Sequence, residues 1–314
     1  MIGKKKKEIS IERVVSTSFV VDILDVVVNG VVAFISGSVV MLSQALQGIS
    51  DLIAAFFLVL GVKGSRRAPD RKYPFGYGRE LYLWTFLSAL VTFSITSAAS
   101  FYLGLKRFLN PEVLENIGYA YLALTIALIT NGYSMSLSVR RLLGNKPITE
   151  IRCVFSRSVF IATKKALVLD LMGTIASILG LLALVLYEIT GVVRFDGLGS
   201  MVIGVSMGIL AFYIIKESKN LIIGRGASLG TERIIKKTTL ATPGVTEILG
   251  LKTLYLGVEK LLISLEVHFE DNLTTDEIEG LIDKIEKKIR RKIPIATSIH
   301  IEPETPKNEK KSVG

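Results

Sequence analysis

The stretch VVMLSQALQGISDLIAAFFLVLGV, from Val39 to Val62, carries a single charge, Asp51. A helix rises about 1.5 Å per residue and the hydrocarbon core of a bilayer is about 30 Å thick, so a run of roughly 20 apolar residues spans it. Val39–Val62 meets that length, and five more runs meet or approach it: Val14–Ile35 before it, then Leu81–Leu105, Ile117–Val139, Ala166–Tyr187 and Leu198–Ile215. Together they predict a six-helix membrane domain. The composition agrees, because a chain of 314 residues that is 50% apolar with a mean hydropathy of +0.49 lacks the polar surface of a soluble domain. The single cysteine, Cys153, excludes a disulfide-stapled scaffold, and 27 glycines with 8 prolines exclude a collagen-like chain. The first run is not read as a cleaved signal peptide, because Asp22 and Asp25 interrupt it and no small-residue cleavage site follows.

The formal charge of +10 suits either nucleic-acid binding or a membrane protein with basic cytoplasmic loops, and the placement decides. Lys4, Lys5, Lys6, Lys7 and Arg13 precede the first run. Lys63, Arg66, Arg67, Arg71, Lys72 and Arg79 follow the second, and Arg140, Arg141, Lys146, Arg152, Arg157, Lys164 and Lys165 follow the fourth. The alternate loops are short or balanced, as where Glu188 and Asp196 flank Arg194. This pattern predicts that both termini are cytoplasmic and that nucleic acid is no partner. A chain rich in lysine and isoleucine with one cysteine is assigned to a prokaryotic plasma membrane.

From about Lys216 the pattern changes. Thr231–Ala241 reads as a helix, Thr246–Leu256 and Lys260–Glu270 as strands, Thr275–Lys292 as an amphipathic helix capped by Thr274 or Thr275, and Ser298–Glu302 as a third strand. The order αββαβ is that of a small ferredoxin-like α+β domain. The expected organisation is a cytosolic segment 1–13, a transmembrane domain 14–216, a cytosolic α+β domain 217–303 and a disordered tail 304–314.

A carboxylate in hydrocarbon costs at least about 2.5 kcal/mol, so Asp22, Asp25, Asp51 and Asp170 each ask for a reason. Gln47 and Asp51 are four apart and share one helix face, and Asp22, Asp25 and Asn29 fall within about 60° of one another on the first helix. The connection between these two helices is a few residues, so they are antiparallel neighbours whose polar stripes can face each other. Carboxylates and amides gathered inside a bundle form the oxygen-rich shell that a small divalent cation takes. Glycine, alanine and serine in the second and fifth runs read as ordinary close packing. No nucleophile–base pair is present, so the chain is not read as an enzyme, and no prosthetic group is expected.

The run Gly37-Ser38-Val39-Val40-Met41-Leu42-Ser43-Gln44-Ala45-Leu46-Gln47-Gly48-Ile49-Ser50-Asp51 resembles the second-helix signature of the cation diffusion facilitator family. The loop Pro69-Asp70-Arg71-Lys72-Tyr73-Pro74-Phe75-Gly76-Tyr77-Gly78-Arg79-Glu80 is similar to that family's Pro-x-Asp-x-x-His-Pro-Phe-Gly-His-Gly-Lys/Arg loop, and Asp170–Gly180, Phe195-Asp196, Thr242-Pro243-Gly244-Val245 and Ile299-His300-Ile301-Glu302-Pro303 resemble its later landmarks. The resemblance implies a homodimer that exports divalent cations in exchange for protons. It also implies a transport site from a His/Asp-x-x-x-Asp pair on the second helix and another on the fifth. Those positions are Gln47, Asp51, Ala166 and Asp170 here, and Tyr73 and Tyr77 stand where the loop site has histidines.

Two strong ligands remain, Asp51 and Asp170, with Gln47 as a neutral oxygen and Asn29 or Asp25 as replacement for the missing position. Asp70 is a weak loop candidate. Zinc prefers imidazole and thiolate, and an oxygen-only set suits Mn²⁺, Fe²⁺ or Mg²⁺ better. The expected function is a proton-coupled secondary transporter of such cations. The alternative is a family member that no longer transports and serves as a metal sensor or heteromeric partner, a reading that Ala166 favours. The two histidines, His268 and His300, lie beside Glu266, Glu270 and Glu302 on strands, as solvated faces or as a cytosolic metal site with Glu266 and Glu302 that tightens the dimer.

Overall fold

A computed structural model describes residues 11–143, 147–151, 161–258 and 260–306, with side chains omitted for 11–22, 141 and 161–166. The basic cluster Lys4–Lys7, Cys153 and the tail from residue 307 lie outside the described residues, as do the side chains of Asp22, Lys164, Lys165 and Ala166.

Six long helices come first: α1 (Ile11–Ser36), α2 (Val39–Ser65), α3 (Glu80–Leu109), α4 (Ile117–Leu143), α5 (Ile161–Thr190) and α6 (Arg194–Ile223). Among the described residues, the five from α2 to α6 are long and apolar enough to cross a membrane, and α1 contributes the apolar stretch Ile23–Ser36. Several helices overrun their hydropathic cores. α6 continues through Lys216, Glu217 and Lys219 to Ile223, because hydropathy reports the solvent around a helix and not where its backbone bonds stop. Inside α3, Phe93–Ala99 winds as a π-helix, a wider turn that hydropathy does not signal.

The chain divides into two compact units. The first holds most of the six helices. α1 and α2 are joined at Gly37, whose φ of +67° is the left-handed geometry open to glycine and whose N–H bonds back to the Ala33 carbonyl. Small residues let the helices close: Gly48 of α2 faces Val26 of α1, Gly180 of α5 faces Val40 and Leu124, and Gly104 of α3 meets the Gly197 backbone of α6. Met41, Leu124, Met172, Leu184, Ile203 and Met207 fill the centre, while Phe34, Ile129, Tyr133, Ile209 and Phe212 point outward as a belt suited to acyl chains.

Two buried polar links cross the bundle. Asp196, fully buried in the first turn of α6, accepts the Ser38 hydroxyl at 2.5 Å and the Val39 and Val40 N–H groups at 2.8 and 3.2 Å. A carboxylate at a helix N-terminus satisfies donors that lack partners within the helix and complements the dipole, so α6 caps α2. Ser43 and Ser200 share a hydrogen bond of 2.6 Å, and Ser200 donates to the Ser100 carbonyl.

The second unit combines the end of α2, the following loop and the start of α3 with the chain from Glu217 onward. Here α7 (Leu229–Leu240), β1 (Val245–Gly257), β2 (Lys260–Phe269), α8 (Thr275–Lys292) and β3 (Ala296–Pro303) follow in the expected αββαβ order. β1 pairs antiparallel with β2, and β2 pairs parallel with β3. Ile235, Leu261, Ile263, Leu265, Val267, Ile285 and Ile289 form the buried layer between helices and sheet. Thr274, the cap of α8, exchanges bonds with Glu277 in a capping box, and the Thr274 N–H holds the Glu277 carboxyl below its usual range. In the same unit Gly78 lies against the backbone of Leu256 and Gly257, so closely that a Cβ at Gly78 would sit 2.9 Å from the Gly257 Cα.

Candidate transport site

On α2, Gln47 and Asp51 share one face. Gln47 is 6% exposed and its Oε1 has no hydrogen-bond partner among the described residues, and neither has Nε2 of the buried Gln44. Asp51 is half-buried. On α1, Asn29 is 1% exposed, and its side chain faces Asp25, half-buried one turn before it. A buried polar atom without a partner costs roughly 1–3 kcal/mol, and of the two unpartnered atoms on α2 Gln47 Oε1 is the acceptor, the kind of oxygen a cation takes.

Helix contacts set the levels. Val26 faces Gly48, which puts Asn29 three residues along α1 beside the level of Gln44 and Gln47, about 4.5 Å from that contact. Asp51 follows the Val40–Gly180 contact by about 16 Å along α2, and Asp170 precedes it by about 15 Å along α5. The N-terminus of α2 lies at the N-terminus of α6, where Gly199 meets both Val40 and Ala183 of α5. α2 and α5 therefore run in opposite directions, and both aspartates sit at one depth.

Asp170 is half-buried and accepts a short hydrogen bond from the Ser138 hydroxyl of α4. A turn further on, Gly173 packs on the Asn131 side chain, also of α4. From the π-helical segment, Thr96 donates to Ser50 at 2.7 Å, next to Asp51. Among the described residues no three His, Cys, Asp or Glu side chains gather into a group able to hold a metal. Any cation here must complete its shell with amide, hydroxyl or backbone oxygens. Counting only acidic residues in the spans overlooks Ser138 and Asn131, although both are legible as polar residues within Ile117–Val139.

The loop after α2 is organised by Asp70. Its carboxylate accepts the Lys72 and Tyr73 N–H groups at 2.9 and 2.7 Å and the Tyr77 hydroxyl at 2.6 Å. Tyr73 and Tyr77 pack with their rings tilted and centroids 4.5 Å apart, and Arg67 lies over the Tyr77 ring. The Tyr77 bond, then the Tyr73 N–H, hold the Asp70 carboxyl below the usual range, and the same bond pushes the Tyr77 hydroxyl up. Because the folded value is depressed, the contribution of Asp70 to loop order is present above the ordinary carboxylate range and is lost as pH falls through the lowered value. Tyr77→Phe is expected to move the Asp70 titration back up, read by carboxyl ¹³C NMR; an unchanged titration would count against this clasp.

In the C-terminal domain, β2 and β3 pair Glu266 with Glu302, while His300 aligns with Ser264, four residues from His268 or about 13 Å along the strand. His268 is buried at 8% exposure opposite Glu247, and exposed His300 contacts the Ser298 hydroxyl at 3.1 Å. Glu266 pairs with Lys252 at 3.1 Å and lines, with Leu249, Glu302, Glu304 and Thr305, a cavity of about 520 Å³. The structure thus brings the two glutamates together and sets the histidines apart.

Among the described residues, five helices long and apolar enough to cross a membrane and the apolar end of α1 are followed by an αββαβ domain. Residues 15–223 match the cation efflux transmembrane domain and residues 230–304 the cation efflux protein cytoplasmic domain, and the chain belongs to the cation diffusion facilitator family. It is 28% identical over 246 residues to the mouse and human proton-coupled zinc antiporter SLC30A9, mitochondrial, a match covering 76% of this chain and 43% of each relative. The chain thus spans less than half the length of those relatives. To magnetosome protein MamB of Paramagnetospirillum magneticum it is 24% identical over 300 residues, covering 92% of this chain and 93% of that one. The solved MamM-CTD aligns with 24% of this chain and 96% of its own, at 17% identity and a TM-score of 0.23.

Proposed function

We propose that this protein exports hard divalent cations, Mn²⁺, Fe²⁺ or Mg²⁺ ahead of Zn²⁺, in exchange for protons. The observation that carries the reading is the donor set at the level of Asp51 and Asp170. It comprises the two carboxylates, Asp25 about 3 Å from the Asp51 level by helix rise, and the unpartnered Oε1 of Gln47 one turn along α2, with the buried amide of Asn29 about 9 Å from that level, and both histidines of the chain lie beyond the helices. Oxygen donors without nitrogen or sulfur suit these ions. Each aspartate can carry a proton or share the cation, so loading one releases the other, and alternating access turns an inward proton gradient into efflux. The basic loops favour cytoplasmic termini in a plasma membrane, and the match to the family's C-terminal domain supports a homodimer.

The name of the SLC30A9 relatives favours a second reading, zinc, and Ala166 favours a third, a partner subunit or metal sensor that moves no ion. Proteoliposome flux separates the three. Mn²⁺, Fe²⁺ or Mg²⁺ is expected to move at least tenfold faster than Zn²⁺ and to acidify or alkalinise the lumen in step with its movement. Preferred Zn²⁺ flux would support the second reading, and no flux of any ion the third.

A further inference from the structure

Hydroxyls in membrane helices usually bond to the carbonyl one turn earlier. On α4, Thr125 and Thr130 do so, to the Tyr121 and Ile126 carbonyls, and on α5 Thr174 and Ser177 bond to the Asp170 and Gly173 carbonyls. Ser138 departs from this habit. It is 6% exposed, and its Oγ crosses from α4 to Oδ2 of Asp170. Asn131, seven residues before it and on the same face of α4, packs against Gly173, where a Cβ would come within 2.8 Å of its Oδ1. The face of α4 carrying Asn131 and Ser138 is therefore turned toward the Asp170–Gly173 segment.

Two oxygens that ligate one divalent cation at about 2.1 Å lie about 3 Å apart in an octahedral shell. Ser138 Oγ and Asp170 Oδ2 already stand within hydrogen-bond distance, so a small ion can enter between the two oxygens with little movement of either helix once the Ser138 O–H, keeping its proton, turns to another acceptor such as the carbonyl one turn earlier. Alanine at 166 carries no donor atom. We infer that the Ser138 hydroxyl is a ligand of the transported cation, supplying beside Asp170 the neutral hard oxygen that position 166 lacks. It thereby sets the preference for hard ions over zinc. The inference rests on the transport-site reading above.

The test uses the full-length protein in detergent and in liposomes, with Mn²⁺ and Zn²⁺ as probes and calorimetry as the binding readout. Ser138→Ala is expected to weaken Mn²⁺ binding about tenfold or more. Ser138→Thr, which keeps the hydroxyl, stays within about threefold, and adding Ala166→Asp to Ser138→Ala restores affinity. Ser138→Cys offers a soft donor of similar size and should raise the Zn²⁺/Mn²⁺ affinity ratio at least tenfold, a change that a serine serving only to hold helices would not produce. Mn²⁺ affinity within twofold of the parent in Ser138→Ala, with the metal ratio unmoved in Ser138→Cys, overturns the inference even if Asp170→Ala has lost all binding. Because binding is read without flux, a parent that binds Mn²⁺ yet moves no ion defeats the transport reading and still decides the role of Ser138.

Discussion

Replacing Asp51 by alanine is expected to abolish cation flux, by at least a hundredfold, with the protein still folded. Asp51 is one of two carboxylates at one depth, with the unpartnered Gln47 Oε1 one turn along α2, and a dication stripped of water needs compensating negative charge. Asp51→Asn should fail as completely, because it keeps volume and an oxygen but removes the charge. Neither change should lower thermal stability much, since an acidic side chain in a half-buried membrane position is costly to keep. Proteoliposome flux beside a melting curve measures both quantities. Asn29→Ala and Asp25→Ala in the same assay gauge the first helix: full activity in both would exclude α1 from the site, and substantial flux in Asp51→Asn would exclude charge at position 51 from the mechanism.

The second large effect is on stability. Asp196→Ala withdraws the acceptor from the Ser38 hydroxyl and from the Val39 and Val40 N–H groups, all buried. Interhelical hydrogen bonds in membranes average about 0.6 kcal/mol, which sets a floor of about 2 kcal/mol for three. Donors left buried without partners cost roughly 1–3 kcal/mol each, which sets a ceiling several times higher. The higher figure applies better here, because two of the donors are backbone groups at a helix N-terminus and have no alternative partner within the helix. A melting midpoint lower by several degrees is expected for Asp196→Ala, with Asp196→Asn in between because one oxygen still accepts. A midpoint within a degree of the parent would show that α2 does not depend on this cap.

Much of the architecture is legible in one dimension. Hydropathy alone locates the six helices, and period-two and period-3.6 patterns find the αββαβ domain, because burial imprints itself on neighbouring residues. What escapes is whatever depends on distant partners. Asp196 looks like a loop charge flanking Arg194 until the fold brings Ser38, 158 residues earlier, to its carboxylate. Asp70 reads as a weak loop ligand, and the three hydrogen bonds by which it orders its own loop are not visible in the sequence. Ser138 is unremarkable as one serine among several in a helix until its bond to Asp170 is visible. The π-helical turn at Phe93–Ala99 leaves no hydropathic trace, since winding the backbone more widely does not alter which side chains are apolar.

The backbone approach of Gly78 to Gly257 has a consequence for heredity. A methyl group at either of these two positions meets the main chain of the other, which has no rotamer with which to yield. A second substitution adds a second methyl group to the same contact and relieves nothing, so descendants of this gene should keep both glycines. The loop after α2 and the β1–β2 turn, 179 positions apart by subtraction of the two residue numbers, would then evolve as one character.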